Sequence, residues 1–365
     1  MPIKKTKKKV LLVTTSLANG GAERSTALLS ILLTQLGYEV HITTVLNKIE
    51  FEYEGQLLNL GLLKEKNNTV LGRINRFFVF RKYIKKHEFD YIIDNRTRTK
   101  TVLEFIISNF VYNLSLPIYM VRSGNIHLYF PKNKFIAKTI YKKAYAIIGV
   151  SREIETEIKS VFHYMNVKTI YNPIHEQILM RQSLALDILG NFILAYGRID
   201  DEVKNYTLLI NAYAKSNLPK MSIQLFIIGE GQDLEMLKEK VSQLNLSDKI
   251  LFKGKLVNPF PYVKKAIFTT LTSKYEGFPR VIIESLALET PVVTVNCKSG
   301  PAEIVINGVN GLLVENNNPD ILAQAMNRMI EDKILYENCK MNAKESIKHL
   351  SLDNVSKDWQ KIIEG

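Results

Sequence analysis

The 365-residue chain is short of the residues that staple a fold or hold a metal. It has two cysteines, Cys297 and Cys339, with no Cys-x-x-Cys spacing. That excludes a disulfide framework and fits a reducing, cytoplasmic setting. Its six histidines are scattered and include no His-Glu-x-x-His, so no zinc site is expected. Asp-x-Asp is absent, which argues against a metal ion bridging a diphosphate between carboxylates. No uninterrupted apolar run reaches the roughly 18 residues that span a bilayer. The start, MPIKKTKKKVLLVTTSLA, imitates a signal peptide. It leads, however, into Gly20-Gly21 and an amphipathic helix without a cleavage pattern, and reads better as a first β-strand.

Apolar residues make up 46% of the chain, ordinary for a folded protein long enough for two cores. The net charge of +13 is lopsided. Residues 1–170 hold 27 Lys and Arg against 13 Asp and Glu, whereas residues 171–365 hold 22 against 23. The whole excess lies in the first half, which suggests one domain that faces an anionic surface.

Short apolar runs alternate with helix-period segments, the signature of βαβ units and parallel sheets. Strands are expected at Val10–Thr15, Val40–Val45, Tyr91–Asp94, Ile118–Arg122, Ala146–Val150 and Lys168–Tyr171. The pattern restarts with Phe192–Tyr196, Ile223–Gly229, Ile250–Phe252, Ile267–Leu271, Pro291–Val295 and Gly311–Val314. The fold class is therefore α/β, with two Rossmann-like doubly wound domains facing a central cleft. Residues 1–172 would form the first domain, the basic side able to meet a membrane, and 173–350 the second. Residues 351–365 would add an amphipathic helix able to pack back on the first domain. The seam falls at Asn172-Pro173, where proline ends an extended segment.

The stretch KYEGFPRVIIES, residues 274–285, sets two glutamates eight apart. On one helix Glu276 and Glu284 would lie about 12 Å apart along the axis and about 80° apart around it, which suits neither an ion pair nor a shared metal. Gly277-Phe278-Pro279 changes that geometry, because proline is tolerated in a first turn and costly inside a helix. The helix is expected to start near Pro279, with Arg280 following. Glu276 then precedes it, Glu284 lies a turn inside, and first-turn amides between them favour an anion. Tyr196-Gly197-Arg198 followed by Lys204-Asn205 places two cations at a strand end. Arg grips phosphate bidentately and Lys adds a point charge. Asn19-Gly20-Gly21-Ala22-Glu23-Arg24 opens the first helix, and its glycines let backbone approach a ligand. It is not Gly-x-Gly-x-x-Gly, and no acid ends the second strand, which disfavours a dehydrogenase.

These motifs, with Asn172-Pro173 and Asn310-Gly311-Leu312-Leu313-Val314, resemble family 4 of the retaining glycosyltransferases, which have the GT-B fold. The resemblance covers nearly the whole chain, and Asn19–Arg24 is similar to bacterial enzymes that extend lipid-linked glycans. It implies that Glu284 takes the ribose hydroxyls of a nucleotide-sugar and Glu276 those of the transferred sugar. Gly20, Gly21, Gly277, Phe278, Pro279 and Arg280 would also contact the donor. Arg198 and Lys204 would neutralise the diphosphate without a metal, so no cofactor is expected. Relatives carry a histidine after the fourth strand of the first domain. Here Ser123 stands there, and Arg122, Asn125 and His127 are the candidates for acceptor binding.

Residues 72–87, GRINRFFVFRKYIKKH, interleave aromatics and cations. Arg76, Phe77, Phe80, Arg81, Lys82, Lys85 and Lys86 are the candidate contacts to an anionic membrane. No module or stacking groove for nucleic acid is present. The expected enzyme is a hexosyltransferase, peripheral on the inner face of the cell membrane. It would move a UDP-linked hexose or N-acetylhexosamine to a polyprenyl-diphosphate-linked saccharide. The rival readings are a nucleotide-sugar epimerase of the same fold and a non-catalytic nucleotide-sugar-binding assembly subunit.

Overall fold

The computed structural model describes residues 7–164, 166–184 and 188–365. The chain divides into two compact units. The first runs to Pro173 and takes in Leu352–Gly365; the second is Ile174–Ser351. Each is built on a parallel sheet.

In the first unit β1 (Lys9–Thr14), β2 (Glu39–Thr44), β3 (Gln56–Asn59), β4 (Tyr91–Asp94), β5 (Leu116–Val121), β6 (Ala146–Gly149) and β7 (Val167–Thr169) lie in the order β3-β2-β1-β4-β5-β6-β7. Val10, Leu11 and Leu12 of β1 are all buried, as befits a central parallel strand covered on both faces. The edge strand β3 was not anticipated. It is only four residues long and none of them is buried, so it shows no alternation between a buried and an exposed face. The local signal is Gly55, whose φ is +110° and on which a Cβ would overlap the Val40 carbonyl oxygen.

The basic stretch forms one helix, Val70–His87, capped by Thr69, whose hydroxyl accepts from the Gly72 amide at 3.2 Å. Phe80 is not on its outer face. It is buried and meets Tyr112 edge-on, with ring centroids 6.4 Å apart, which removes it as a membrane contact. Phe77 is half-buried against Phe78. Arg76 donates to the Asn67 carbonyl at 2.6 Å and Arg81 to that of Phe110 at 3.1 Å. Lys82, Lys85 and Lys86 are exposed. Among the described residues no helix is long and apolar enough to cross a membrane.

The last helix, Leu352–Glu364, buries Leu352, Val355, Trp359, Ile362 and Ile363 in the first unit. Its final carbonyls, which a helix cannot satisfy internally, find side-chain donors. Tyr145 donates to Ile362 O at 3.1 Å, while Tyr91 and Lys8 donate to Ile363 O at 2.8 and 2.6 Å. The lysine also complements the negative end of the helix dipole.

The second unit orders β8 (Phe192–Tyr196), β9 (Gln224–Ile228), β10 (Ile250–Phe252), β11 (Thr269–Leu271), β12 (Val292–Asn296) and β13 (Gly311–Glu315) as β10-β9-β8-β11-β12-β13. Its core joins Ile193, Leu225 and Val293 from the sheet, and Phe268 just ahead of β11, to Met326 and Met329 from the Pro319–Glu331 helix.

Because Trp359 is buried, Trp359→Ala should cost about 3–5 kcal/mol in urea unfolding. A loss below about 1 kcal/mol would show that the last helix adds little to the core of the first unit.

Candidate functional site

Ligands of open α/β sheets gather at the carboxyl ends of the strands, where the winding reverses. In the second unit that reversal falls between β8 and β11. After β8 the chain turns at Gly197, where φ is +146°, beside the loop that follows β9. Gly197 N donates to Ile228 O at 2.9 Å, and a Cβ on Gly229 would overlap the Gly197 carbonyl oxygen. Gly229 is needed for the loops to come that close, and Gly197 for its positive φ. A short helix, Asp201–Lys204, then ends at Asn205 in the left-handed conformation, with φ +51°. The Asn205 side chain accepts from Leu208 N at 3.3 Å and so caps the next helix, Tyr206–Lys215.

The chain after β11 grips this turn. The Thr272 hydroxyl reaches the carbonyls of Lys204 and Asn205, both at 3.0 Å, and Lys274 N donates to Val203 O at 2.8 Å. On its other side Glu276 N donates to Lys298 O at 3.0 Å. Held this way, Glu276 Oε1 accepts from Lys204 Nζ and from the Ser273 hydroxyl, both at 2.6 Å. Among the described residues both contacts fall on Oε1, and Oε2 has no hydrogen-bond partner. A half-tied, mostly shielded carboxylate of this kind can accept from a ligand hydroxyl while the lysine balances its charge. Ser273 and Thr272 escaped the sequence reading. Their one signal is adjacency, a pair of hydroxyl residues just ahead of the acid.

The helix Arg280–Ala287 begins one residue later than expected, with Pro279 in the capping position. Ser299 donates to Gly277 O at 2.8 Å, and Gly300, at φ +100°, abuts Pro279. Phe278 is buried and so serves to anchor the loop. Glu284 is buried as well. Its Oε1 accepts from Nε and NH2 of Arg280, each at 3.0 Å, and its Oε2 receives a long 3.4 Å contact from the Tyr196 hydroxyl at the end of β8. Each carboxylate of the motif thus has a cation beside it. Arg198 is not brought to Glu276. It is 66% exposed and pairs with Asp200 at 3.0 Å. Among the described residues no three His, Cys, Asp or Glu side chains come together.

In the first unit the winding reverses between β1 and β4. Gly20 caps the Gly21–Gln35 helix after β1 in an extended conformation. Beyond β5, Arg122 donates to Asn95 Oδ1 through Nε and NH2 at 3.0 and 2.7 Å, and to Asn172 Oδ1 through NH1 at 2.6 Å. Asn125 N donates to the Ser123 hydroxyl at 3.1 Å, and His127 is exposed on the turn Ile126–Leu128.

Beneath them lies a buried polar network that the sequence did not disclose. Asp94, at the end of β4, accepts from Arg96 through both oxygens at 3.0 and 2.7 Å and from the Tyr112 hydroxyl at 3.1 Å. Arg96 also pairs with Glu104 at 3.0 Å. Arg98 is buried among Tyr119, Tyr129 and Tyr141 and donates to Met120 O at 2.9 Å. Burial pushes the Asp94 carboxyl up, but the neighbouring Arg96 more than offsets it and holds it below the usual range. Burial leaves the Glu104 carboxyl raised.

Tandem doubly wound parallel sheets of this kind are the build of GT-B glycosyltransferases. HepE from Anabaena, solved with UDP-glucose, superposes over 98% of this chain and 99% of its own, with a TM-score of 0.76 at 20% identity. Residues 177–346 match the family model described as Glycosyl transferases group 1. An N-acetylgalactosamine-N,N'-diacetylbacillosaminyl-diphospho-undecaprenol 4-alpha-N-acetylgalactosaminyltransferase of Campylobacter jejuni is 31% identical over 363 residues, spanning 96% of this chain and 98% of the relative. A second C. jejuni protein, named as adding alpha-1,4-linked N-acetyl-D-galactosamine to GalNAc-alpha-(1->4)-GalNAc-alpha-(1->3)-diNAcBac-PP-undecaprenol, is 26% identical across 97% of this chain and 98% of its own. The chain belongs to the group 1 glycosyltransferases.

Removing one partner of a buried ion pair strands the other. Asp94→Asn should therefore destabilise the protein by about 3–5 kcal/mol at neutral pH. The folded-state pKa of Asp94 is depressed, so its contribution is present above the unfolded value and lost as pH falls through the folded one. Urea titrations of both proteins from pH 7 downward should show the gap closing; a gap that does not depend on pH would refute the assignment.

Proposed function

We propose that the enzyme moves a hexose or N-acetylhexosamine from a UDP-sugar to a polyprenyl-diphosphate-linked saccharide, with retention at the anomeric carbon and without a metal ion, in bacterial glycan assembly at the inner face of the membrane. The observation that carries this reading is the Glu276 carboxylate, tied at Oε1 by Lys204 and Ser273 with Oε2 left to accept. The activities named for the two Campylobacter relatives support the acceptor class, and UDP-glucose in HepE supports the donor class.

In this reading Glu276 Oε2 orients the transferred sugar by accepting from its hydroxyls, and Glu284 takes the ribose hydroxyls. Arg280, on Oε1 at 3.0 Å, balances the charge of that carboxylate as it does so. The bond from the anomeric carbon to the diphosphate breaks, and its electron pair goes to the phosphate oxygen. Lys204 and the first-turn amides after Gly277 stabilise that developing charge. Arg198 joins them by leaving Asp200, a contact whose arginine already lies largely in solvent and whose rupture costs about 1 kcal/mol. The acceptor hydroxyl bonds to the anomeric carbon on the face the diphosphate leaves, and its proton passes to the departing phosphate oxygen. That route retains configuration without an enzyme nucleophile. The first unit, with Arg122, Asn125 and His127 at its strand ends, takes the acceptor.

The test combines UDP release with NMR of the product, using UDP-hexoses and UDP-N-acetylhexosamines with a diphosphate-linked saccharide, with and without EDTA. UDP release should require acceptor, persist in EDTA and give a product with the donor's anomeric configuration. Glu276→Ala should lower turnover by about a hundredfold or more while leaving the melting temperature near that of the wild type. Unchanged turnover in the variant, or an inverted product, would overturn the mechanism; conversion of the donor without acceptor would point to an epimerase.

A further inference from the structure

One helix of the first unit buries polar side chains and leaves large apolar ones in solvent. The helix Thr101–Ile106 continues into a π-turn, Ile107–Val111. Its polar residues Glu104 and Ser108, one turn apart, are each 4% exposed. Glu104 pairs with Arg96 in the buried network, and Ser108 accepts from the Tyr119 hydroxyl at 2.9 Å. Ile107 and Val111 are buried with them, but the other apolar side chains face outward. Val102 is 75% exposed and Phe110 is 54% exposed, with Phe105 and Ile106 exposed between them. A surface helix normally turns its apolar stripe inward. Here the buried ion pair already holds the inner face, and the outer face has the chemistry of a core with nothing packed on it among the described residues.

The ridge does not stand alone. Arg81 Nε donates to the Phe110 carbonyl at 3.1 Å, which ties it to the Val70–His87 helix, where Ile74 and Phe78 are also exposed. The Lys134–Tyr141 helix packs on its other side. The charge around it has one sign. Residues 70–87 carry six Lys and Arg and no carboxylate, and residues 129–143 carry five lysines and no carboxylate. The one acid in residues 95–112 is Glu104, which points inward. A second copy of the chain seated here would set cation against cation, at a cost in repulsion. A bilayer with anionic headgroups offers an apolar interior to the ridge and negative charge to its rim.

We propose that the outward face of residues 102–110, with Ile74 and Phe78 beside it, is the surface that seats this protein on an anionic membrane. The apolar side chains enter the boundary between headgroups and acyl chains while the flanking lysines and arginines remain at the phosphates. The proposal deepens the membrane setting of the reading above and rests on it for its purpose, but its test needs neither donor nor acceptor.

The full chain is floated with vesicles of phosphatidylglycerol and phosphatidylcholine, and with phosphatidylcholine alone. Wild type should bind the anionic vesicles more tightly. The double variant V102S/F110S should bind them about tenfold more weakly or worse, because two apolar contacts are lost. Both residues are exposed, so its melting temperature should stay near wild type. V257S, at an exposed position of the second unit, should bind as wild type does. Turnover of V102S/F110S on a short-chain, water-soluble diphosphate-linked acceptor should be unchanged. Absence of wild-type binding, or equal binding by the double variant, overturns the proposal. So does a wild-type dimer in sedimentation that V102S/F110S converts to monomer, which would make the ridge a contact between copies. Failure of transfer with normal vesicle binding would count against the glycosyltransferase mechanism alone.

Discussion

Burial of both faces of each parallel sheet is the constraint from which the other features follow. Strands such as β1 and β8 are apolar along their length because helices cover both sides. Polar chemistry is thereby confined to the strand ends, and the reversal of winding decides which ends have room. Glu276, Lys204 and Tyr196 are gathered at one reversal, and Asn95 at the other.

At the first of these places the protein keeps charges nearly balanced. A carboxylate shielded from water is costly unless a cation is close, and each glutamate of the motif has one: Lys204 for Glu276, Arg280 for Glu284. The pairing has a functional corollary. A ligand that brings its own negative charge meets cations already in position, without the reorganisation that free side chains would need. Arg198 is the exception, resting on a neighbouring aspartate at the surface.

The parts of the structure written in local pattern were legible in the sequence. Tyr91–Asp94, Phe192–Tyr196 and Ile250–Phe252 begin and end where their apolar runs do. Glu276 lies ahead of its helix and Glu284 inside it because proline permits little else. What stayed hidden depends on residues distant in the chain. The role of Asp94 comes from Arg96, Glu104 and Tyr112 meeting in space, and that of Phe80 from which side of its helix meets Tyr112. Residues 72–87 alternate aromatic and basic so densely that period alone could not assign an inner face. The edge strand β3 escapes the pattern because none of its four residues is buried, so no alternation between a buried and an exposed face marks it.

The closing helix has a consequence for the order of events during synthesis. Residues 352–364 complete the first unit, yet they are made after the whole second unit. Domains ordinarily fold in the order in which they emerge from the ribosome. Here the leading unit must wait with the surface that receives Trp359 uncovered, and its tyrosine hydroxyls at Tyr91 and Tyr145 without their helix carbonyls, until the trailing one has been translated. The first unit therefore keeps apolar surface open to aggregation for as long as the second unit is being made.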